Sequence, residues 1–293
     1  MRDPRRLAYS LDILANMLKR RGKIGDAMQQ YRQAITIYER ELDPDDPWLA
    51  STLLRLAELE LNDRDRPDLA RPLIERSLRM LTTRFGADHP AIVWPMHDLA
   101  EVLGMEGRHA EAERLCLRAL ELRRKQFGPT HGTTIGSLGE LARTYLRAGR
   151  LDEAERRQRE AVALLAERYT TSSPYHASGQ VELAHILLAA NRVDEADSLL
   201  QLAYATYLRY HVTERGSTPY VIQTMGEAAA HRGDVTRADS LYRRAVALYE
   251  GDGRETNREV RRTLKALAAL HRTHGDSALA ARYQARADAM LVR

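Results

Sequence analysis

The sequence predicts an all-α fold, a right-handed superhelical solenoid of seven helix-turn-helix repeats filling residues 1–293 as a single array. Three observations predict it. Small residues recur every 42 residues or so, the mark of a stacked repeat: Ala15, Ala57, Ala100, Ala142, Ala184, Gly226 and Ala268 in the first helix of each unit. Two further rows mark the second helix: Ala27, Ala70, Ala112, Ala154, Ala196, Ala238 and Ala280, then Ala34, Ser77, Ala119, Ala161, Ala203, Ala245 and Ala287. Breakers fall between the rows, with Gly22, Gly107, Gly149, Asn191, Gly233 and Gly275 at internal turns and Pro4, Pro47, Pro90, Pro174 and Pro219 at starts of the first helix.

The repeats run over 4–43, 46–86, 89–128, 131–170, 173–212, 217–251 and 255–293. The third shows the grammar. His89-Pro90 opens helix A, at a position where the missing proline N–H costs nothing. Leu99, Ala100 and Leu103 keep the helical period, Gly107 ends the helix, and helix B runs from about His109 through Ala112, Leu115, Ala119 and Leu122 to about Phe127. Gly132 stands where the fourth repeat would carry proline. The second repeat has one extra residue around Asp63–Pro67, the sixth a shifted loop at His211–Pro219, and the seventh follows a Gly251-Asp252-Gly253 loop expected to be flexible. The alanines have a physical cause, because two helices approach to about 8–10 Å only where small side chains meet.

Charged residues make up 29% of the chain and hydrophobic ones 44%, as in an ordinary folded protein. The net charge of +4 is carried by arginines interleaved with acids. Asp152–Arg156, Glu153–Arg157, Glu155–Arg159 and Asp239–Arg243 are all spaced to pair along a helix. No long basic run appears, which argues for solvated helix faces over a nucleic-acid surface. A single cysteine, Cys116, rules out a disulfide framework within the chain. No apolar run approaches 18 residues and no signal peptide is visible, so no membrane association and a cytoplasmic location are expected.

Leu99-Ala100, Gly107-Arg108, Glu111-Ala112-Glu113 and Arg118-Ala119-Leu120 resemble the tetratricopeptide repeat. The 42-residue unit and the Gly86-Ala87-Asp88-His89-Pro90 loop, matched in part by Gly128-Pro129-Thr130-His131, resemble the kinesin light chain subtype, and the resemblance spans the chain. It implies a concave groove, lined mainly by the A helices, in which a peptide or partner helix lies. It also implies asparagine pairs ahead of each Leu-Ala step. Here those positions hold Asp12-Ile13, Leu54-Arg55, His97-Asp98, Gly139-Glu140, Val181-Glu182, Gln223-Thr224 and Lys265-Ala266.

The helical period places the sixth and ninth residues of each A helix on one face. In the middle repeats these are Asp98 and Glu101, Glu140 and Arg143, Glu182 and His185, Thr224 and Glu227. Five carboxylates against Arg143 and His185 make an acidic stripe. Carboxylates roughly 10 Å apart repel by about 1–2 kcal/mol at an effective dielectric near 20, a repulsion that a basic peptide or helix would relieve. Trp94 and Tyr220, at the second position of their helices, either edge the same groove as ligand anchors or pack beneath the adjoining loop. Tyr204, Tyr207 and Tyr210 form a stripe suited to packing between repeats.

No phosphate-binding glycine loop and no nucleophile elbow appear, so no enzyme, catalytic residue or cofactor is expected. Cys116 occupies a core position of helix B, and His271 with His274 lacks the further ligands that a metal needs. The expected function is a protein–protein interaction scaffold or adaptor, with a peptide-gated sensor as the second reading. The first helix begins at about Pro4 without a preceding cap and the last runs nearly to Arg293. This suggests the interaction region of a larger bacterial signalling protein.

Overall fold

The computed structural model describes residues 4–62, 64–210, 217–251 and 258–290. Among them are fourteen α-helices and no strand. They are α1 (Pro4–Arg20), α2 (Ile24–Glu41), α3 (Pro47–Asn62), α4 (Pro67–Phe85), α5 (Val93–Met105), α6 (His109–Phe127), α7 (Gly132–Arg147), α8 (Leu151–Tyr169), α9 (Pro174–Ala189), α10 (Val193–Arg209), α11 (Ser217–His231), α12 (Val235–Gly251), α13 (Arg258–Thr273) and α14 (Ser277–Ala289). Odd-numbered helices are the A helices and even-numbered ones the B helices. The helices gather into two compact units, Met1–Gln126 and Phe127–Arg293. Within the units A helices pack on their own B helices, as α1 on α2 and α13 on α14, and on the B helix before, as α3 on α2 and α5 on α4.

The alanine rows lie where the pattern puts them. Ala15, Ala57, Ala100, Ala142, Ala184 and Ala268 are buried, as are Ala27 through Ala280 and Ala34 through Ala287 of the B rows. Ser77 joins its row because its hydroxyl donates to the Ala50 carbonyl at 2.9 Å, so the buried oxygen is satisfied. Gly226 has a specific cause, since a Cβ built there would lie 2.8 Å from the Tyr242 ring. Replacing Ala154 with Leu is expected to overpack its crossing and cost about 1–3 kcal/mol, read by urea unfolding.

Outside the second repeat, the turns inside the repeats share one geometry. After α5, Arg108 N–H donates to the Leu103 carbonyl at 2.8 Å around Gly107, whose φ is +77°. After α9 the same bond, Arg192 N–H to the Leu187 carbonyl at 2.8 Å, closes around Asn191 at φ +60°. Asparagine tolerates this left-handed backbone and a β-branched residue does not. Asn191→Val is accordingly expected to cost about 1–2 kcal/mol, with Asn191→Gly near neutral in the same melt.

Some local expectations are corrected. Helix A of the third repeat does not open at His89-Pro90. Pro90–Ile92 forms a 3-10 turn, capped by His89 Nδ1 accepting from Ala91 N–H at 3.1 Å, and α5 begins at Val93. Pro95 is the reason, because it has no N–H to give the Ala91 carbonyl and the α pattern cannot extend back past it. Glu155–Arg159 and Asp239–Arg243 pair as spaced, at 2.8 and 2.9 Å. Glu153 turns to Arg150 at 2.8 Å instead, and Arg157 to Glu160 at 3.1 Å. Arg150 sits just before α8 and reaches the first-turn acid at shorter range. The tyrosine stripe is also shorter than expected. Tyr207 is buried, but α10 stops at Arg209 and leaves Tyr210 exposed beyond its end. Asp63, most of the His211–Pro219 loop, and Asp252-Gly253 lie outside the described residues.

Candidate partner-binding site

In the second unit the A helices α7, α9, α11 and α13 pack in succession, and their polar side chains meet across the helix gaps. Arg143 of α7 pairs with Glu140 on its own helix and stands 3.9 Å from Glu182 of α9. His185 Nδ1 of α9 lies 3.2 Å from Glu227 Oε2 of α11. Arg262 of α13 donates to Glu227 Oε1 at 3.2 Å and lies 3.2 Å from His185 Nε2. An arginine only donates, so the second contact makes Nε2 an acceptor and puts the His185 proton on Nδ1, facing the carboxylate. Buried Gln223 supports Glu227 from behind. Its amide donates to Oε1 at 3.2 Å, while its own oxygen accepts from Thr263 at 2.9 Å and from Tyr249 at 3.4 Å.

Glu227 is half-buried. Burial raises its carboxyl pKa, but the His185 hydrogen bond and the Arg262 charge outweigh that and hold it below the usual glutamate range. Tyr220, on the same helix, feels Glu182, Arg262, Glu227 and Arg143 together. Its hydroxyl is pushed up, first by burial and then by the Glu182 charge. An acid held below its ordinary value of about 4.5 stabilises the fold while ionised. That contribution is complete above the ordinary value and is lost as pH falls through the lowered one. Glu227→Gln is expected to melt below the native chain at neutral pH, and the two melting temperatures are expected to draw together in acid, as pH falls below the ordinary glutamate value. Circular-dichroism melts at both pH values check this.

An open cleft of about 420 Å³ lies beside this network, between the C-terminal halves of α9, α11 and α13. Leu188, Ala230, Ala266 and Leu270 give it an apolar lining, with Glu227 and His185 at its edge. It can take an apolar side chain while the charged network engages polar groups of the same ligand.

The sequence-derived residues divide between the units. Glu140, Arg143, Glu182, His185 and Glu227 come together in the second, though the expected stripe is balanced internally. Their three carboxylates face Arg143 and also Arg262, which the sequence pattern missed. Arg262 falls at the helix position that Trp94 and Tyr220 occupy, so reading that row through the seventh repeat would have found it. Thr224, placed on the same face by the pattern, is buried and donates to the Tyr220 carbonyl at 2.9 Å. Trp94, Asp98 and Glu101 sit together on α5 in the first unit. Trp94 is 61% exposed, edge-on to His97, with the Arg123 guanidinium 5.8 Å from its ring centre. Arg55, at the place on α3 that Asp98 takes on α5, is held by buried Asp12, which also accepts from Thr52 at 3.1 Å. Cys116 is buried. His271 pairs with Asp239 at 2.7 Å and His274 lies 2.8 Å from the Leu270 carbonyl. No group of three or more metal-type ligands occurs among the described residues, nor does a helix long and apolar enough to cross a membrane.

No curated protein matches the chain. Among solved structures, a putative kinesin light chain with nearly identical TPR-like repeats from Podosopora anserina is 24% identical, with a TM-score of 0.61, covering 73% of this chain and all of that one. A Rap protein complexed with competence and sporulation factor is 15% identical, with a TM-score of 0.73 over 97% of this chain and 74% of that one. The Rap conjugation gene regulator of plasmid pLS20, in complex with the Phr* peptide, is 13% identical with a TM-score of 0.69, covering 97% and 73%. At these identities the likeness is one of fold. The tetratricopeptide repeat family model matches residues 6–83, 61–115 and 94–167, more than half of the sequence. The chain belongs to the tetratricopeptide repeat family.

Proposed function

We propose that the chain is a protein–protein interaction scaffold that holds a peptide or partner helix on its A-helix face, as the interaction region of a larger bacterial signalling protein. The observation that carries this is the charged network Arg143–Glu182 and His185–Glu227–Arg262 around Tyr220, next to an apolar cleft. Of the similar structures, one is a Rap protein complexed with competence and sporulation factor and another a Rap regulator in complex with the Phr* peptide, which supports the reading. The preferred ligand is basic. Arg143 and Arg262 already hold the places where a ligand cation would sit, so a lysine or arginine of the ligand competes with them for Glu182 and Glu227. Trp94, Asp98 and Glu101 of the first unit offer a second acidic-aromatic patch of the same kind.

The test is a pull-down with the native chain and with Glu140→Lys, Glu182→Lys and Glu227→Lys combined, alongside a Gln set that controls for folding. Proteins held by the native chain and lost from the Lys set support the reading; the same recovered set from both ends it. A peptide-gated sensor is the second reading. It is favoured by Arg262, which bonds both α9 and α11 from α13, so a ligand that displaces it loosens three helices at once. Scattering profiles unchanged by bound peptide would favour the passive scaffold.

A further inference from the structure

Three alanines line the cleft beside the charged network, each at a place where the neighbouring repeats carry a larger side chain. Ala230 of α11 stands where α7 and α9 have Leu146 and Leu188. On α13, Ala266 takes the place of Glu140 and Glu182, and Ala269 that of Arg143, His185 and Glu227. The polar face that the earlier helices fill thus opens here into about 420 Å³ of space. Tyr242 of α12 also lines it. Its ring lies against Gly226, the one glycine of the alanine row, where a Cβ would come within 2.8 Å. Tyr242 is only 3% exposed, yet its hydroxyl makes no hydrogen bond to any described residue. Burial first, and the Glu227 charge second, push its pKa up, so it keeps its proton and remains a donor.

We infer that the cleft seats a tyrosine side chain of the bound peptide, whose hydroxyl accepts a hydrogen bond from Tyr242. This rests on the reading of the A-helix face as a peptide groove and names the anchor of its ligand. The walls, Leu188, Ala230, Ala266 and Leu270, call for an occupant that is apolar along its length. The Tyr242 O–H calls for one that ends on an acceptor. Leucine and phenylalanine match the walls but strip water from that O–H and leave it unpaired, which costs more than a made bond gains. Tryptophan, lysine and arginine offer only donors, and methionine is a weak acceptor. Aspartate and glutamate accept, but they meet the Glu227 carboxylate at the cleft's edge. Serine, threonine and the amides accept on too little apolar surface. Tyrosine meets both demands, with a large apolar ring and a polar tip, and a basic neighbour in the same ligand engages Glu227.

The probes are the tripeptide acetyl-Lys-Tyr-Lys-amide, its phenylalanine counterpart acetyl-Lys-Phe-Lys-amide, and p-cresol, each titrated onto the full chain by ligand-observed NMR. The tyrosine peptide is expected to bind at or below about 1 mM and at least about fivefold tighter than the phenylalanine peptide. Tyr242→Phe, which removes only the unpaired hydroxyl, should abolish that preference. Ala230→Leu, which installs the leucine of α7 and α9 and fills the cleft, should weaken the tyrosine peptide at least about tenfold. Melting temperatures of both variants are read on the same samples, and if Ala230→Leu lowers its own, Tyr242→Phe decides alone. Equal binding of the two peptides overturns the inference, as does a preference that survives Tyr242→Phe, or no binding by any probe. Binding of p-cresol without the tyrosine peptide makes the cleft a seat for a free phenol and also overturns it. Glu227→Gln separates this inference from the groove reading. A tyrosine preference that stands while Glu227→Gln leaves the peptide's affinity unchanged supports the tyrosine seat and sinks the charged groove.

Discussion

Leu49→Ala is expected to destabilise the chain by about 2–5 kcal/mol, while Leu7→Ala, one repeat earlier at the same helix position, changes stability by less than about 0.5 kcal/mol. The two leucines differ only in what lies over them. Leu49 is buried in a core with Tyr31, Ile35 and Leu53, so its truncation leaves a cavity that tightly packed neighbours cannot close. Leu7 is half in solvent already and loses little. Urea unfolding of both variants measures the contrast. Equal costs would mean that Leu7 is packed in solution as Leu49 is.

Gly226→Ala is expected to destabilise by about 1–3 kcal/mol, the reverse of the usual gain of about 0.5–1 kcal/mol when alanine replaces a mid-helix glycine. The sign turns on Tyr242, whose ring carbons Cδ1 and Cε1 lie 2.8 and 2.9 Å from the new Cβ. That ring is buried and held between helices, so it cannot swing aside cheaply. Tyr242→Leu in the same chain removes the clash, and the double variant is expected to recover most of the loss from the glycine change. Additive costs in this cycle would show that the close approach is not the cause.

The repeat architecture is legible because its signal is local. A helix crossing demands a small side chain whatever surrounds it, so alanines, with Gly226 and Ser77, return at fixed intervals. Turn residues are legible for the same reason, and Asn191 at φ +60° confirms that chemistry. The charged network is only half legible. Glu182, His185 and Glu227 follow from helix periodicity, but Arg262 belongs to a row reading Tyr9, Ser51, Trp94, Gly136, Ser178, Tyr220 and Arg262, which has no common chemistry to detect. Thr224 shares the periodic position of Glu182 and yet turns inward, because its hydroxyl can satisfy itself on the Tyr220 carbonyl. Partner choice depends on reach: Glu153 meets Arg150 across the helix start before it meets Arg157. The exposure of Leu7 and Leu14 was invisible to pattern alone, since they take the helix positions of buried Leu49 and Leu56.

Many surface ion pairs tie one repeat to the next rather than lying within one. Arg76 meets Glu39 at 2.5 Å, Arg192 meets Glu155 at 2.7 Å, and Arg232 meets Asp194 and Asp197 at 2.8 Å each. Each alone contributes little to stability, and dissolved electrolyte weakens it further. Within each unit they act between neighbouring repeats, as soft springs whose tension the ionic medium sets. Raising salt is expected to slacken them while the alanine crossings hold, so that the hairpins stay intact and neighbouring hairpins of one unit move more freely.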